Sequence, residues 1–319
     1  MIHMAKIGLI DCDSHNFPNL PLMKLSAWHK EQGDSVEWYS PLLSGCMDTV
    51  YMSKVFTFTP EYAYHINAKK VIIGGTGFKD TRESVFNEQH RKHGYYYNKN
   101  LPAEIESLYP DYSLYQELTK DTAFDFMTRG CPRNCEYCVV PKKEGRKSRK
   151  VADLRQFWDG QKKIKLLDPN ITACKDWENL FGQLVESRAL IDFTQGLDIR
   201  LMTEPKIEMI KKMRIKYIHF AFDDISEKKL IVEKLKHFKE STGWNYWKMT
   251  VYVLVNYNST LEEDLERIYT LRDLGYSPFV MIYEKERLPA RHELKQLQRW
   301  VNMRAVFRSV NSFNDYVDK

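Results

Sequence analysis

From Ala123 onward, short apolar runs rich in β-formers alternate with amphipathic helical stretches, and this alternation limits the possible folds more than any other feature of the chain. The runs are Phe124–Met127, Ile164–Leu167, Ile191–Thr194, Tyr217–Phe222, Thr250–Val255 and Phe279–Tyr283. Between them Trp177, Leu180, Phe181 and Leu184 follow helical spacing, as do Ile207, Ile210 and Met213 after a starting Pro205. Ser226 can cap a helix carrying Ile231, Leu235 and Phe238, with Gly243 beyond it. Thr260 and Glu263 have capping-box spacing ahead of Leu261, Leu265 and Ile268, and Gly275 ends that helix. Six strand–helix units in series predict an α/β protein whose larger part, residues 116–319, is a parallel partial (β/α)6 barrel with a C-terminal helix. Chemistry is then expected at the C-terminal ends of the strands.

The first 115 residues carry a second α/β pattern. Lys6–Ile10 is a buried-strand run ending at Asp11 and Asp13, Leu22, Leu25 and Trp28 share a helix face, and Ser35–Tyr39 alternates. Val71–Ile73 runs straight into Gly74-Gly75-Thr76-Gly77. Strand–helix–strand order with glycines at a strand's C-terminal end predicts a Rossmann-like, doubly wound domain. Residues from about Phe78 to Thr122, including Gly94-Tyr95-Tyr96-Tyr97-Asn98, read as an irregular connection.

Composition excludes several classes. Charged residues make up 29% of the 319 and hydrophobic ones 43%, as in ordinary globular proteins. No apolar run approaches the ~20 residues that a membrane helix needs, and Met1–Leu9 lacks the pattern of a signal peptide. The expectation is a cytoplasmic protein without a membrane partner. A net charge of +5 permits nucleic acid without demanding it.

Three of the six cysteines fall within eight residues, in the string Thr128-Arg129-Gly130-Cys131-Pro132-Arg133-Asn134-Cys135-Glu136-Tyr137-Cys138. Clustered thiols in a chain of this size point to metal rather than to disulfides. The spacing C-x3-C-x2-C on a loop after a strand lets three soft thiolates converge on one inorganic cluster. Structural zinc prefers four ligands in two close pairs, and no fourth Cys or His lies nearby.

This string resembles the signature of the radical S-adenosylmethionine superfamily, and the resemblance extends over roughly the last two hundred residues. It implies a 4Fe-4S cluster on Cys131, Cys135 and Cys138 with one iron open to the amino and carboxylate groups of S-adenosylmethionine. An electron donor such as flavodoxin or ferredoxin would reduce the cluster. Cleavage of the S–C5′ bond would then yield a 5′-deoxyadenosyl radical that abstracts hydrogen from substrate. Tyr137 fits the aromatic that usually precedes the third cysteine and lies beside adenine. At other strand ends, Arg200 would pair with the methionyl carboxylate, Gln195 and Asp198 would bind ribose or substrate, and Asn170 and Asn256 would orient the nucleoside. Asp168, Pro169 and Asp223 are equally the residues that turns and caps favour.

The resemblance of the first domain has two branches. Asp13-Ser14-His15 and Gly74-Gly75 match parts of a cobalamin-binding domain, with His15 as lower ligand, but Pro18 stands where glycine is expected and weighs against cobalamin. The methylthiotransferase arrangement places three further cysteines there. Cys12 and Cys46 fall near two of those places, whereas the third holds Gly74 and Gly75. Cys12, Cys46 and Cys174 therefore read as free buried thiols. Six basic residues between Lys142 and Lys150 form either a solvated loop or a phosphate contact. The sequence thus predicts a radical enzyme whose substrate is RNA, peptide or small molecule. The alternatives are a cobalamin-dependent radical methylase and a non-catalytic metal protein that binds nucleic acid through Lys142–Lys150.

Overall fold

A computed structural model describes residues 4–78, 95–97 and 101–317, the strand at 95–97 by its backbone alone. Gly94 and Asn98 of the tyrosine-rich stretch lie outside the described residues. The chain divides into two compact units. One holds the residues up to Phe124 together with Arg155–Gln161, and the other holds Asp125–Leu154 together with the residues from Lys162 on.

The first unit is a parallel sheet of β1 (Lys6–Asp11), β2 (Ser35–Trp38), β3 (Met47–Ser53), β4 (Ala68–Gly74) and β5 (Tyr95–Tyr97), in the order β2-β1-β3-β4-β5. That order matches one of the two common doubly wound arrangements and makes the sheet Rossmann-like. Helix α1 (Leu20–Glu31) opens with Asn19, whose side chain accepts the Leu22 amide, and buries Leu22 and Leu25 with Ile7 and Leu9. The central strand β3 was not among the runs the sequence singled out, although Val50 and Met52 alternate inward. No helix separates β2 from β3 or β3 from β4, so among the described residues the unit is less fully wound than its pattern suggests.

Strand β6 (Thr122–Asp125) ends the first unit's stretch of chain and begins two residues earlier than expected. In the second unit β9 (Lys163–Leu166), β10 (Leu190–Phe193) and the short β11 (Arg214–Ile215) form one parallel set. Strands β12 (Ile218–Ala221), β13 (Met249–Val255) and β14 (Ser277–Ile282) form another. The two sets meet where the Leu197 amide donates to the His219 carbonyl at 2.8 Å. A small antiparallel pair, β7 (Thr128–Arg129) with β8 (Arg149–Lys150), brackets the cysteine loop and was not foreseen.

Helices α2 (Val140–Glu144), α3 (Trp177–Ser187), α4 (Glu204–Lys212), α5 (Lys228–Thr242), α6 (Leu261–Asp273) and α7 (Glu293–Asn302) complete the frame. The Thr260–Glu263 capping box is present in full. Helix α5 differs from expectation: Asp224, not Ser226, caps the 3-10 turn that leads into it, accepting the Ser226 amide.

Period-two alternation gives these strands two unlike faces. Ile164, Ile191, Phe193, Ile218, Phe220, Val251, Val253 and Val255 are buried, and Phe220 packs edge-on against Phe238 of α5. On the other face Lys165, Asp192, His219 and Tyr252 are half-buried and Phe279 is exposed, with His219 stacked flat on Tyr252. No helix among the described residues is long and apolar enough to cross a membrane.

Candidate functional site

The cysteine loop is fixed at its base before any ligand is considered. Gly130 has φ +83°, and a Cβ there would lie 2.4 Å from the Lys147 carbonyl oxygen, so the loop can close only over glycine. Glu144 braces the same point, accepting the Gly130 amide at 3.1 Å and Arg129 Nη1 at 2.9 Å. The Cys131 amide donates to the Gly145 carbonyl and the Cys138 amide to the Cys135 carbonyl. All three thiols are half-exposed and outside any disulfide. Burial, with the neighbouring Cys135, Cys131 and Glu144 adding to it, pushes the Cys138 thiol up.

Asp168 ties this loop to the end of β9. Its carboxylate accepts the Met127 amide at 3.1 Å, the Thr128 amide at 2.5 Å and the Thr128 hydroxyl at 2.6 Å. Complete burial outweighs those bonds and pushes the acid up to about 7.

A polar network continues from Cys131. Asn170, 4% exposed, places Nδ2 3.5 Å from Cys131 Sγ and 3.4 Å from Asp198 Oδ2, while its Oδ1 accepts the Thr172 hydroxyl. Asp198 also accepts Arg133 Nε at 3.0 Å and Arg200 Nε at 2.7 Å. Burial opposes ionisation of Asp198, but the two guanidiniums prevail and hold its pKa below the ordinary value. Arg200 further reaches Glu227, and Arg133 approaches the same carboxylate at 3.8 Å.

A second branch leaves Tyr137. Its hydroxyl donates to Asp223 Oδ2 at 2.8 Å, and Asp223 Oδ1 accepts the Leu254 amide at 2.9 Å. Burial, then the Asp223 charge, raises the Tyr137 phenol. Tyr257 meets the Tyr137 ring edge-on at 5.1 Å and donates to Glu136 at 3.0 Å.

The structure therefore brings Asn170, Asp198 and Arg200 to Cys131 and joins Tyr137 to Asp223. Gln195 is exposed on the turn after β10. Asn256 adopts φ +66° and gives its side-chain amide to the Tyr283 carbonyl, so it braces the chain just beyond β13 and β14. The neighbouring Tyr257 makes the contact with the cysteine loop. Sequence reasoning passed over Arg133, Glu227 and Tyr257. Of these only Arg133, inside the cysteine string, carried a local signal.

Elsewhere, Asp13 uses its carboxylate on the Val55 and Phe56 amides and the Thr59 hydroxyl, while His15 is exposed. Cys174 is buried as expected and Cys12 half-buried, its thiol pushed up to about 12 by burial and the adjacent Asp13 and Asp11. Cys46, expected to be buried, is exposed because it lies just before β3. In the basic run, Lys150 pairs with Asp153 and Asp176, and Arg149 donates to the Glu144 carbonyl.

Three half-exposed thiols on a loop braced by Glu144 are the soft donors that a four-iron cluster takes. Among the described residues no three His, Cys, Asp or Glu side chains form a set around a single metal ion.

No protein-family model matches the chain. It is similar to tRNA-2-methylthio-N(6)-dimethylallyladenosine synthase of Sulfurihydrogenibium sp., 38% identical over 28% of this chain and 22% of the relative. The Aquifex aeolicus protein of the same name is 30% identical over 46% of this chain and 39% of its own. Ribosomal protein uS12 methylthiotransferase RimO of Clostridioides difficile is 26% identical over 54% and 39%. The matches thus span less than half the length of these relatives. Streptococcus suis SuiB, solved with bound S-adenosylmethionine, aligns over 71% of this chain and 60% of its own at 14% identity and a TM-score of 0.44, which decides nothing about this chain.

Proposed function

We propose that this protein is a radical S-adenosylmethionine enzyme, with Cys131, Cys135 and Cys138 as cluster ligands in a partial parallel barrel. The observation that carries the reading is the junction of Cys131 with the Asn170–Asp198–Arg200 network at 3.5 Å. Similarity to methylthiotransferases over part of the chain supports it.

The chemistry supplied by a bound cluster is one-electron reductive cleavage of S-adenosylmethionine, with hydrogen then taken from substrate. The chain's own residues bind and orient. Arg200 commits Nε to Asp198 and Nη1 to Glu227, leaving Nη2 as the donor for an incoming carboxylate. Ionised Asp198 keeps both guanidiniums aimed, its two oxygens each already accepting two donors. Asn170 Nδ2 holds a donor beside Cys131 sulfur, a contact of the kind that tunes cluster potential. Tyr137, fixed through Asp223, offers a ring face for adenine.

The methylthiotransferase arrangement has a third N-terminal cysteine where this chain has Gly74 and Gly75. Gly75 has φ +100°, and a Cβ there would lie 2.2 Å from the Lys54 carbonyl oxygen, so a cysteine at that position has no room. A cobalamin-dependent methylase is the second reading, favoured by the β2-β1-β3-β4-β5 order and the exposed His15 just after β1. Pro18 and the engagement of Asp13 weigh against it.

Anaerobic reconstitution tests both. About four irons per chain, and 5′-deoxyadenosine formation that disappears in Cys138→Ala, are the expected results. Tightly bound zinc with no cleavage would overturn the proposal. Cobalamin retained on purification and lost in His15→Ala would select the methylase.

A further inference from the structure

The cations that the sequence grouped, Lys142–Lys150, are partly paired within the loop. A different cationic surface is assembled from three segments far apart in the chain, all within the second unit. Residues 213–222, 243–259 and 294–314 contain seven Lys and Arg and no Asp or Glu. The Ile218 amide donates to the Lys248 carbonyl at 2.8 Å, which sets Lys216 and Tyr217 beside the 243–248 loop at the N-terminal end of β12 and β13. Arg304, just after α7, donates to the Trp247 carbonyl and to Thr250 Oγ1, which draws the third segment to the same edge.

Aromatic rings and cations interleave there. Tyr246 and Trp247 pack at 4.7 Å, Arg308 lies 3.2 Å from the Tyr246 ring centroid, and Arg304 lies 5.8 Å from that of Trp247. Lys216 stands 5.0 Å from the Tyr217 ring. Trp247 is 52% and Tyr217 41% exposed, and both Lys216 and Arg308 are exposed. The exposed Trp247 and Tyr217 thus lie among cations contributed by segments that contain no carboxylate.

We propose that this face binds a single-stranded polynucleotide, its bases stacking on Trp247 and Tyr217 and its phosphates meeting Lys216, Arg304 and Arg308. Flat rings held among guanidinium and ammonium groups supply both needs of such a strand, a π-face for each base and a cation for each phosphate. An acidic peptide would use the charge but leave the rings bare. The inference holds whether or not the cysteine loop carries a cluster.

Fluorescence anisotropy of the full chain with labelled 12-mer RNA and DNA strands, with heparin and a poly-glutamate peptide as competitors, tests it. Expected are saturable binding, a loss of about tenfold in Trp247→Ala with near-native affinity in Trp247→Phe, and a salt slope shallower by about 0.7 in Arg308→Gln. RNA and DNA are separate arms, and tighter binding of either with this Trp247 dependence supports the proposal. Melting curves of the variants check folding. Absence of binding, or binding unchanged by Trp247→Ala and displaced equally well by heparin or poly-glutamate, would overturn it.

Discussion

Tyr137 and Asp223 are joined by a 2.8 Å hydrogen bond that anchors the cysteine loop to the chain just beyond β12. Beside Asp223, a buried ion pair holds the chain. Arg267 of α6, fully buried, donates to the Phe222 and Leu254 carbonyls, each at 2.9 Å, and pairs with buried Asp264. A guanidinium thus fixes the ends of two strands from the helix side.

Arg267→Ala removes those bonds and leaves Asp264 buried without its partner. The expected loss is about 3–5 kcal/mol, in the range found on breaking buried pairs, read as a fall in chemical-denaturation midpoint. Asp264→Ala should cost a similar amount, and the double variant less than the sum of the two.

Asp168 makes stability depend on pH. Its pKa is raised in the folded state, from the ordinary 3.8 to about 7, by burial. The folded state therefore holds a proton that the unfolded chain releases, so this contribution is full below pH ~4 and is lost as pH rises through 7. Asp168→Asn should flatten the fall of melting temperature between pH 5 and 8. An unchanged slope would show that Asp168 is already ionised when folded.

Gly130→Ala forces a Cβ against the Lys147 carbonyl in a left-handed backbone. The expected result is a loss of more than ~1 kcal/mol together with sub-stoichiometric iron after reconstitution. Iron loading equal to that of the native chain would mean that the loop reshapes without cost.

Arg200→Lys keeps the charge but cannot bond Asp198 and Glu227 while presenting a further planar donor. Affinity for S-adenosylmethionine, measured by calorimetry on reconstituted protein, should fall at least tenfold, and the melting temperature should fall little. Asn256→Ala, by contrast, should leave that affinity nearly unchanged, because its amide serves the Tyr283 carbonyl.

Local pattern made much of this protein legible. The Thr260–Glu263 capping box, the buried runs of β9, β10 and β13, and the cysteine spacing are each written within a dozen residues, where periodicity and cap chemistry act. Strand β3 was missed because Met47–Ser53 mixes polar and apolar residues, and its burial comes from neighbours on both sides in the sheet. The bond from Asn256 to the Tyr283 carbonyl was not legible, because residues at strand ends look alike in sequence whether they face a site or brace a turn.

By itself the sequence determined that three thiols share one loop, that the loop follows a strand, and that glycine stands at Gly130. Ligand spacing and backbone handedness are properties of short stretches. Only the tertiary structure decided that Asp198 faces two arginines, that Arg267 clamps β12 and β13, and that Lys216, Trp247 and Arg308 share one surface. Each of these includes a partner tens of positions away, such as Arg133 for Asp198 and Phe222 for Arg267, and it is strand register and helix packing that bring such residues together.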